Sequence, residues 1–210
     1  MKLVTTADLI KAGSFPSSPA HERVTRDLRE AIAAVRWPPG ASTFTIYPQS
    51  GKRRGEGNGV ASIKQGFVTK LVDLGWRLEE PYPHADEDKA AALRPGAFDA
   101  WLDLAQYGAP PFVAEWETGN ISSSHRALNK VAMGLLDGRL SGGVLILPTR
   151  ALYRYLTDRV GNYREIEPYF PLWSALPVKE GYLGVIAVEH DATSGDVPRI
   201  TKGTNGRALI

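Results

Sequence analysis

The chain has 210 residues, with 25 lysines and arginines against 23 aspartates and glutamates, 43% hydrophobic and 23% charged residues, which describes one soluble globular domain with room for a full core. No apolar run reaches the length of a membrane span, the first residues (Met1-Lys2-Leu3-Val4-Thr5-Thr6) lack the apolar core of a signal peptide, and there is no cysteine, so a cytoplasmic protein without disulfides or thiolate metal sites is expected. A formal net charge of +2 provides no global field for nucleic acid, so any DNA-binding surface must come from local clustering, and any metal must be held by carboxylates and carbonyls, which favours a hard ion such as magnesium.

Residues 1–35 read as helical: Thr6-Ala7-Asp8 can cap a short first helix ending near Gly13, and Val24, Leu28, Ile32 and Val35 at helical spacing predict a second from Pro19 to Val35. Pro38-Pro39-Gly40 stops it, and residues 42–47 read as a strand. The segment Gly51-Lys52-Arg53-Arg54-Gly55-Glu56-Gly57-Asn58-Gly59 is basic and glycine-rich; it reads either as a mobile surface loop or as a phosphate-contacting loop. Val60 to Trp76 predicts an amphipathic helix with Ile63, Phe67, Leu71 and Leu74 inward and Lys64 and Lys70 off that face. Asp86 to Leu93 is a charged segment compatible with a helical turn. Residues 97–104 read as a strand carrying Asp99 and Asp103, and Gly108-Ala109-Pro110-Pro111 as a turn.

Phe112-Val113-Ala114-Glu115-Trp116-Glu117 follows as a strand, whose alternation puts Glu115 and Glu117 on one side. Adjacent carboxylates repel, so such a pair implies a cation beside it or a proton on one member, although Glu-x-Glu is also common on solvated strand faces. Thr118-Gly119-Asn120 breaks the strand, and Ser122, Ser123 and Ser124 offer N-caps to a helix running from Ser123 to about Asp137 with Arg126 and Lys130 near its start. An acidic strand end next to a basic helix N-terminus suits metal-dependent phosphodiester chemistry. Residues 144–147 are a continuous apolar run, as in a strand buried on both faces; Ala151 to Val160 predicts a helix; residues 163–179 are irregular and aromatic-rich; residues 184–188 predict a last core strand. The tail, residues 191–210, reads as extended or mobile. The chain is thus one α/β domain, a central mixed β-sheet flanked by helices on both sides, with N-terminal helices over 1–40, a core over 41–190 and the tail after it.

Two blocks, Glu115-Trp-Glu117-Thr-Gly-Asn120-Ile-Ser122-Ser-Ser-His-Arg126 with Asn129-Lys130, and Tyr155-Leu-Thr-Asp158-Arg159-Val-Gly-Asn162 with Glu167-Pro-Tyr-Phe170, resemble the BamHI group of restriction endonucleases within the PD-(D/E)XK nuclease class. Weaker landmarks extend the resemblance over about residues 42–206; the N-terminal helices match poorly. The resemblance implies a type II restriction endonuclease of that fold, using two Mg²⁺ ions per site with Mn²⁺ as a plausible substitute. By position, Glu79, Asp99 and Glu115 resemble the metal-binding carboxylates, with the Trp116 carbonyl as a further ligand. Glu117 stands where most of the class has lysine and resembles the general base. Hairpin counting alone favours Asp103 over Asp99; the family pattern picks Asp99. Lys64 resembles a phosphate-contacting lysine, whereas His125 has no catalytic counterpart and reads as a packing residue. Asn120, Ser122, Arg126, Asp158 and Arg159 match base-reading positions, implying the palindrome GGATCC cut to leave 5′ overhangs, with AGATCT, RGATCY or a cleavage-deficient DNA binder as alternatives. A palindromic target implies a homodimer on double-stranded DNA, formed in the family through helices equivalent to those near 123–138 and 150–160. A cognate DNA methyltransferase in the cell, without direct contact, is implied as well. The sequence ends soon after Gly206-Arg207, so the family's longer C-terminal helix and its minor-groove arm are not expected here.

Overall fold

The computed structural model describes residues 1–53, 55–83, 96–157 and 160–202. In chain order these form β1 (Lys2–Ala12), α1 (Pro19–Ala34), β2 (Thr45–Ile46), α2 (Ala61–Asp73), β3 (Arg77–Glu80), β4 (Phe98–Leu102), β5 (Phe112–Trp116), α3 (Ile121–Leu136), β6 (Gly142–Pro148), α4 (Arg150–Tyr153), α5 (Tyr163–Ile166), α6 (Phe170–Ser174), β7 (Gly181–Glu189) and β8 (Ala192–Thr193), with short 3₁₀ turns between some of them. Six strands make one sheet in the order β1-β7-β6-β5-β4-β3. β5, β6 and β7 run parallel, and β4, β3 and β1 add antiparallel edges, so the sheet is mixed.

Alternation along the central strands supplies both faces with apolar side chains. Val144, Ile146, Ala114 and Trp116 meet Val24, Leu28 and Ile32 of α1 and Phe67 and Leu71 of α2. On the other face, Leu145, Leu147, Val113 and Val185 meet Leu128, Val131 and Leu135 of α3 together with Trp173 of α6. Each such side chain contributes roughly 1.5–3 kcal/mol on burial. Helices thus cover both faces, as the element order predicts. No helix among the described residues is long and apolar enough to cross a membrane.

The N-terminus departs from expectation. Residues 2–12 are a strand rather than a short capped helix, because β7 has an open edge and β1 pairs with it from Lys2↔Glu189 to Ala12↔Gly181. Long-range pairing outweighs the local cap signal of Thr6 and Asp8, and Val4, Thr5 and Thr6 are β-favouring residues. The predicted helix from Ala151 to Val160 shortens to α4. Its continuation instead bridges the glycine-rich segment: Asn58 N donates to Tyr155 O (2.7 Å) and Thr157 N to Asn58 O (3.1 Å). Part of the aromatic segment 163–179, read as irregular, forms α5 and α6. The tail as far as residue 202 is anchored, with β8 pairing with β2 and Ile200 fully buried. The predicted turn at 86–93 lies outside the described residues.

Asn58 explains why the glycine-rich segment is ordered. It is fully buried; its amide donates to Tyr47 O (2.8 Å) and Tyr155 O (2.9 Å) and accepts from Ile200 N (3.1 Å). A Cβ at Gly51 would lie 1.6 Å from Leu156 O, and one at Gly59 2.1 Å from Thr201 O, so glycine is required where three backbones meet.

A second buried polar group ties the helical layer together. Asp27 of α1 accepts from Arg23 Nε (2.6 Å) and Trp76 Nε1 (3.1 Å), while Arg23 also donates to Leu74 O (2.6 Å) at the end of α2. Asp27→Ala strands the indole and the guanidinium together, so urea unfolding should show a loss of about 3 kcal/mol with an unchanged m-value.

Candidate functional site

β5 ends with Glu115 and Trp116, and Glu117 follows one residue beyond. Glu117 Oε1 accepts from Gly119 N at 2.5 Å, folding the chain back on itself. A Cβ at Gly119 would lie 2.8 Å from that same oxygen, so a side chain there would displace the carboxylate. Asn120 caps α3, its Oδ1 accepting from Ser122 N (3.0 Å) and Ser123 N (3.3 Å). The cap is therefore Asn120, not one of the serines, since its longer side chain reaches both amides from just outside the first turn. Across the sheet, Asp99 of β4 accepts from Trp116 N at 2.8 Å through Oδ2.

Two lysines from opposite helical layers meet these acids. Lys64 of α2 lies 2.5 Å from Asp99 Oδ1. Lys130 of α3 lies 2.5 Å from Glu115 Oε1, donates to Ala97 O at 2.6 Å and stands 4.5 Å from the Phe98 ring centre. The short Lys130–Glu115 contact is a buried ion pair. Asp99, Glu115, Glu117, Lys64, Lys130 and Arg126 all line one polar hollow of about 320 Å³. Burial pushes the Glu115 carboxyl up to about 7, with Lys130 pulling it down and Asp99 adding to the rise. Burial likewise raises Glu117, opposed by the Gly119 amide and reinforced by Asp99.

The structure brings Asp99, and not Asp103, to the two glutamates; Asp103 instead accepts from Ala105 N at 2.8 Å and closes a turn. Hairpin counting misleads because register pairs Ala100 with Ala114, which sets the preceding residue, Asp99, opposite the end of β5. Glu79 stays apart. It is exposed on the edge strand β3 with a left-handed φ of 54° and does not line the hollow. Ser122 and Arg126, one helical turn apart, follow the cap Asn120 on the first turns of α3. Asp158 and Arg159 lie outside the described residues. His125 packs edge-on to Tyr169 (4.6 Å) and against Trp173 (5.5 Å), consistent with a packing role. Lys64, expected to meet a phosphate, pairs with Asp99 in this state. Lys130 joins these residues in the hollow; in sequence its signal is a lysine on the apolar stripe Ala127, Leu128, Val131 and Leu135.

Among the described residues no three His, Asp or Glu side chains converge on one point as a preformed metal cluster. The donor set still fits a hard divalent cation. Asp99, Glu115 and the Trp116 carbonyl are oxygen donors, and Glu115 Oε1 is a buried acceptor whose present partner is an ammonium.

A family model described as restriction endonuclease BamHI matches residues 1–207. The type II restriction enzyme OkrAI of Oceanobacter kriegii is 44% identical over 209 residues, covering 100% of both chains. The type II restriction enzyme BamHI of Bacillus amyloliquefaciens is 34% identical over 187 residues, covering 88% of this chain and 82% of the relative. In fold, the restriction endonuclease BglII, solved with a DNA 16-mer, superposes with a TM-score of 0.63 at 10% identity, over 91% of this chain and 79% of that one.

The Glu115–Lys130 pair makes stability depend on pH in a defined direction. Glu115 moves from an ordinary 4.5 to about 7 on folding, so its contribution is full below the lower value and is lost as pH rises through the upper one. Lys130→Met removes the neutralising charge. Without metal, denaturant unfolding should show a loss of about 3 kcal/mol at roughly pH 9 and a clearly smaller one at roughly pH 5, where Glu115 holds a proton.

Proposed function

The chain belongs to the BamHI family of type II restriction endonucleases, and from that premise we propose that it cuts duplex DNA at the palindrome GGATCC as a magnesium-dependent homodimer, leaving 5′ overhangs. One juxtaposition carries the reading: Asp99, Glu115 and Glu117 share a hollow with Arg126, on the helix whose first turns carry Asn120 and Ser122. Base-reading groups thus sit beside the hydrolytic acids, so recognition and cleavage act on one stretch of duplex.

Asp99, Glu115 and the Trp116 carbonyl would hold the metal, with Glu79 joining them from the neighbouring strand by the family pattern. When bound, Mg²⁺, or Mn²⁺ in its place, supplies Lewis-acid activation of water and neutralises charge on the leaving 3′ oxygen. Glu117, raised by burial and by Asp99, takes a proton from the attacking water, and the Gly119 amide holds its carboxylate in place. Lys64, at 2.5 Å from Asp99, is placed to turn its ammonium to the scissile phosphate once that aspartate has another cation. Asn120, Ser122 and Arg126 read base edges in the major groove, an arginine offering a bidentate pair to guanine. Asp158 and Arg159 are assigned base edges as well, by resemblance.

The dimer is proposed along α3, as in the family. Met133 and Leu136 on that helix are 46% and 49% exposed, and Leu172 on α6 is 66% exposed. Trp173 Nε1 donates to Asn129 Oδ1 (3.0 Å), which sets α6 alongside α3, so these apolar side chains lie on neighbouring elements. The short α4 contributes little length to such an interface.

Purified protein should cut a sequenced plasmid at GGATCC with Mg²⁺ and bind there without cutting in Ca²⁺; discrete cuts at another palindrome would overturn the base-reading assignment. Glu117→Gln should lower single-turnover cleavage by roughly 10²–10⁴-fold while leaving site-specific binding in Ca²⁺ intact. The double variant Met133→Glu, Leu136→Glu should run as a monomer by light scattering and lose concerted cutting of both strands.

A further inference from the structure

A second hollow, of about 430 Å³, lies at the same end of the sheet as the acidic site. Lys52 and Ser50 of the glycine-rich segment form one wall, and Arg150, Tyr153 and Arg154, which follow β6, form the other. Among the described residues no carboxylate lines it, and none of their ion pairs uses Lys52, Arg150 or Arg154. All three are exposed at its rim, and the Arg150 guanidinium lies 5.4 Å from the Tyr153 ring centre. Uncompensated like charges in one concavity raise the energy of the free protein, and an anion relieves it.

The walls are fixed rather than brought together by chance. Gly51 N donates to Arg154 O at 3.0 Å, Asn58 locks the adjacent backbone at Tyr155, and Gly51 packs so closely on Leu156 that no side chain fits. The hollow also lies near the acidic site. Leu156 forms part of its lining and, with Trp116, Glu117 and Pro148, part of a narrow cleft between the two. Because β5 and β6 are parallel neighbours, with Trp116 beside Ile146, their C-terminal ends deliver the acids and the cations to one edge.

We propose that this hollow binds a backbone phosphodiester of the same duplex, on the flank of the recognised base pairs. The proposal rests on the nuclease reading above and extends its footprint. Arginine suits the ligand, since its planar fork pairs with phosphate oxygens, and lysine adds charge without demanding a fixed geometry. Such an interaction carries no sequence information; it fixes register and adds affinity that depends on salt and on flank length.

The test compares the wild type with the double variant Arg150→Gln, Arg154→Gln. Binding is measured in Ca²⁺ over a salt series, on a duplex trimmed close to GGATCC and on one with a full helical turn of flank on each side. On the flanked duplex the variant should bind about 10-fold more weakly, and its salt slope should shrink by about 1 for each phosphate that it no longer neutralises. Its affinity for the trimmed duplex should match the wild type, which also shows that it is folded. Equal weakening on both duplexes, or none on the flanked one, would overturn the flank site while leaving the nuclease reading intact. A wild type that binds neither duplex would overturn both.

Discussion

The structure depends on how three carboxylates are kept together at the end of one buried strand. Asp99, Glu115 and Glu117 would repel one another if all were charged and uncompensated. The fold answers with Lys64 from one helical layer and Lys130 from the other, each 2.5 Å from an acid. Neither lysine is near the acids in sequence in a way that local structure could exploit. Each arrives because its helix packs on its own face of the sheet through apolar residues on both sides of it. Core packing therefore sets the electrostatics of the site, and the acids in turn give each helix a polar anchor to the sheet edge. A buried ion pair of this kind adds little net stability, since desolvation consumes most of the attraction, but losing one partner is costly.

The same edge of the sheet is built by a second device, a buried asparagine surrounded by glycines. Asn58 satisfies backbone groups from residues 47, 155 and 200, which come from distant parts of the chain. Gly51 and Gly59 allow those backbones to approach more closely than any side chain would permit. The outcome is that a segment whose composition suggests mobility becomes a fixed wall beside the acidic site. Lys52 is presented beside the anchored Gly51, which lowers the entropy lost when a polyanion binds.

Much of the fold was legible in the sequence, because both repeating periods were strong. The helical spacing of Val24, Leu28 and Ile32 and the apolar runs at 144–147 and 184–188 identify α1, β6 and β7 with little ambiguity. Glu115-x-Glu117 followed by Thr118-Gly119-Asn120 marked the site, since a strand period of two sets the acids on one side and a glycine turn must follow. The family blocks pointed to a family that periodicity cannot supply, and the family model matching residues 1–207 bears that family out.

Tertiary structure decided the rest, for reasons of range. The first strand carries a plausible helix cap, and only the open edge of β7, some 170 residues later, makes it a strand. The choice of Asp99 over Asp103 follows from hairpin register, which a turn of uncertain length leaves open until the strands pair. Lys130 looks like a polar interruption of an apolar stripe until Glu115 is seen opposite it. The sequence by itself thus determined the residue types, the periods and the family. Which acid faces which cation, and which loop stands still, were set by contacts between segments far apart in the chain, where no local spacing records the distance.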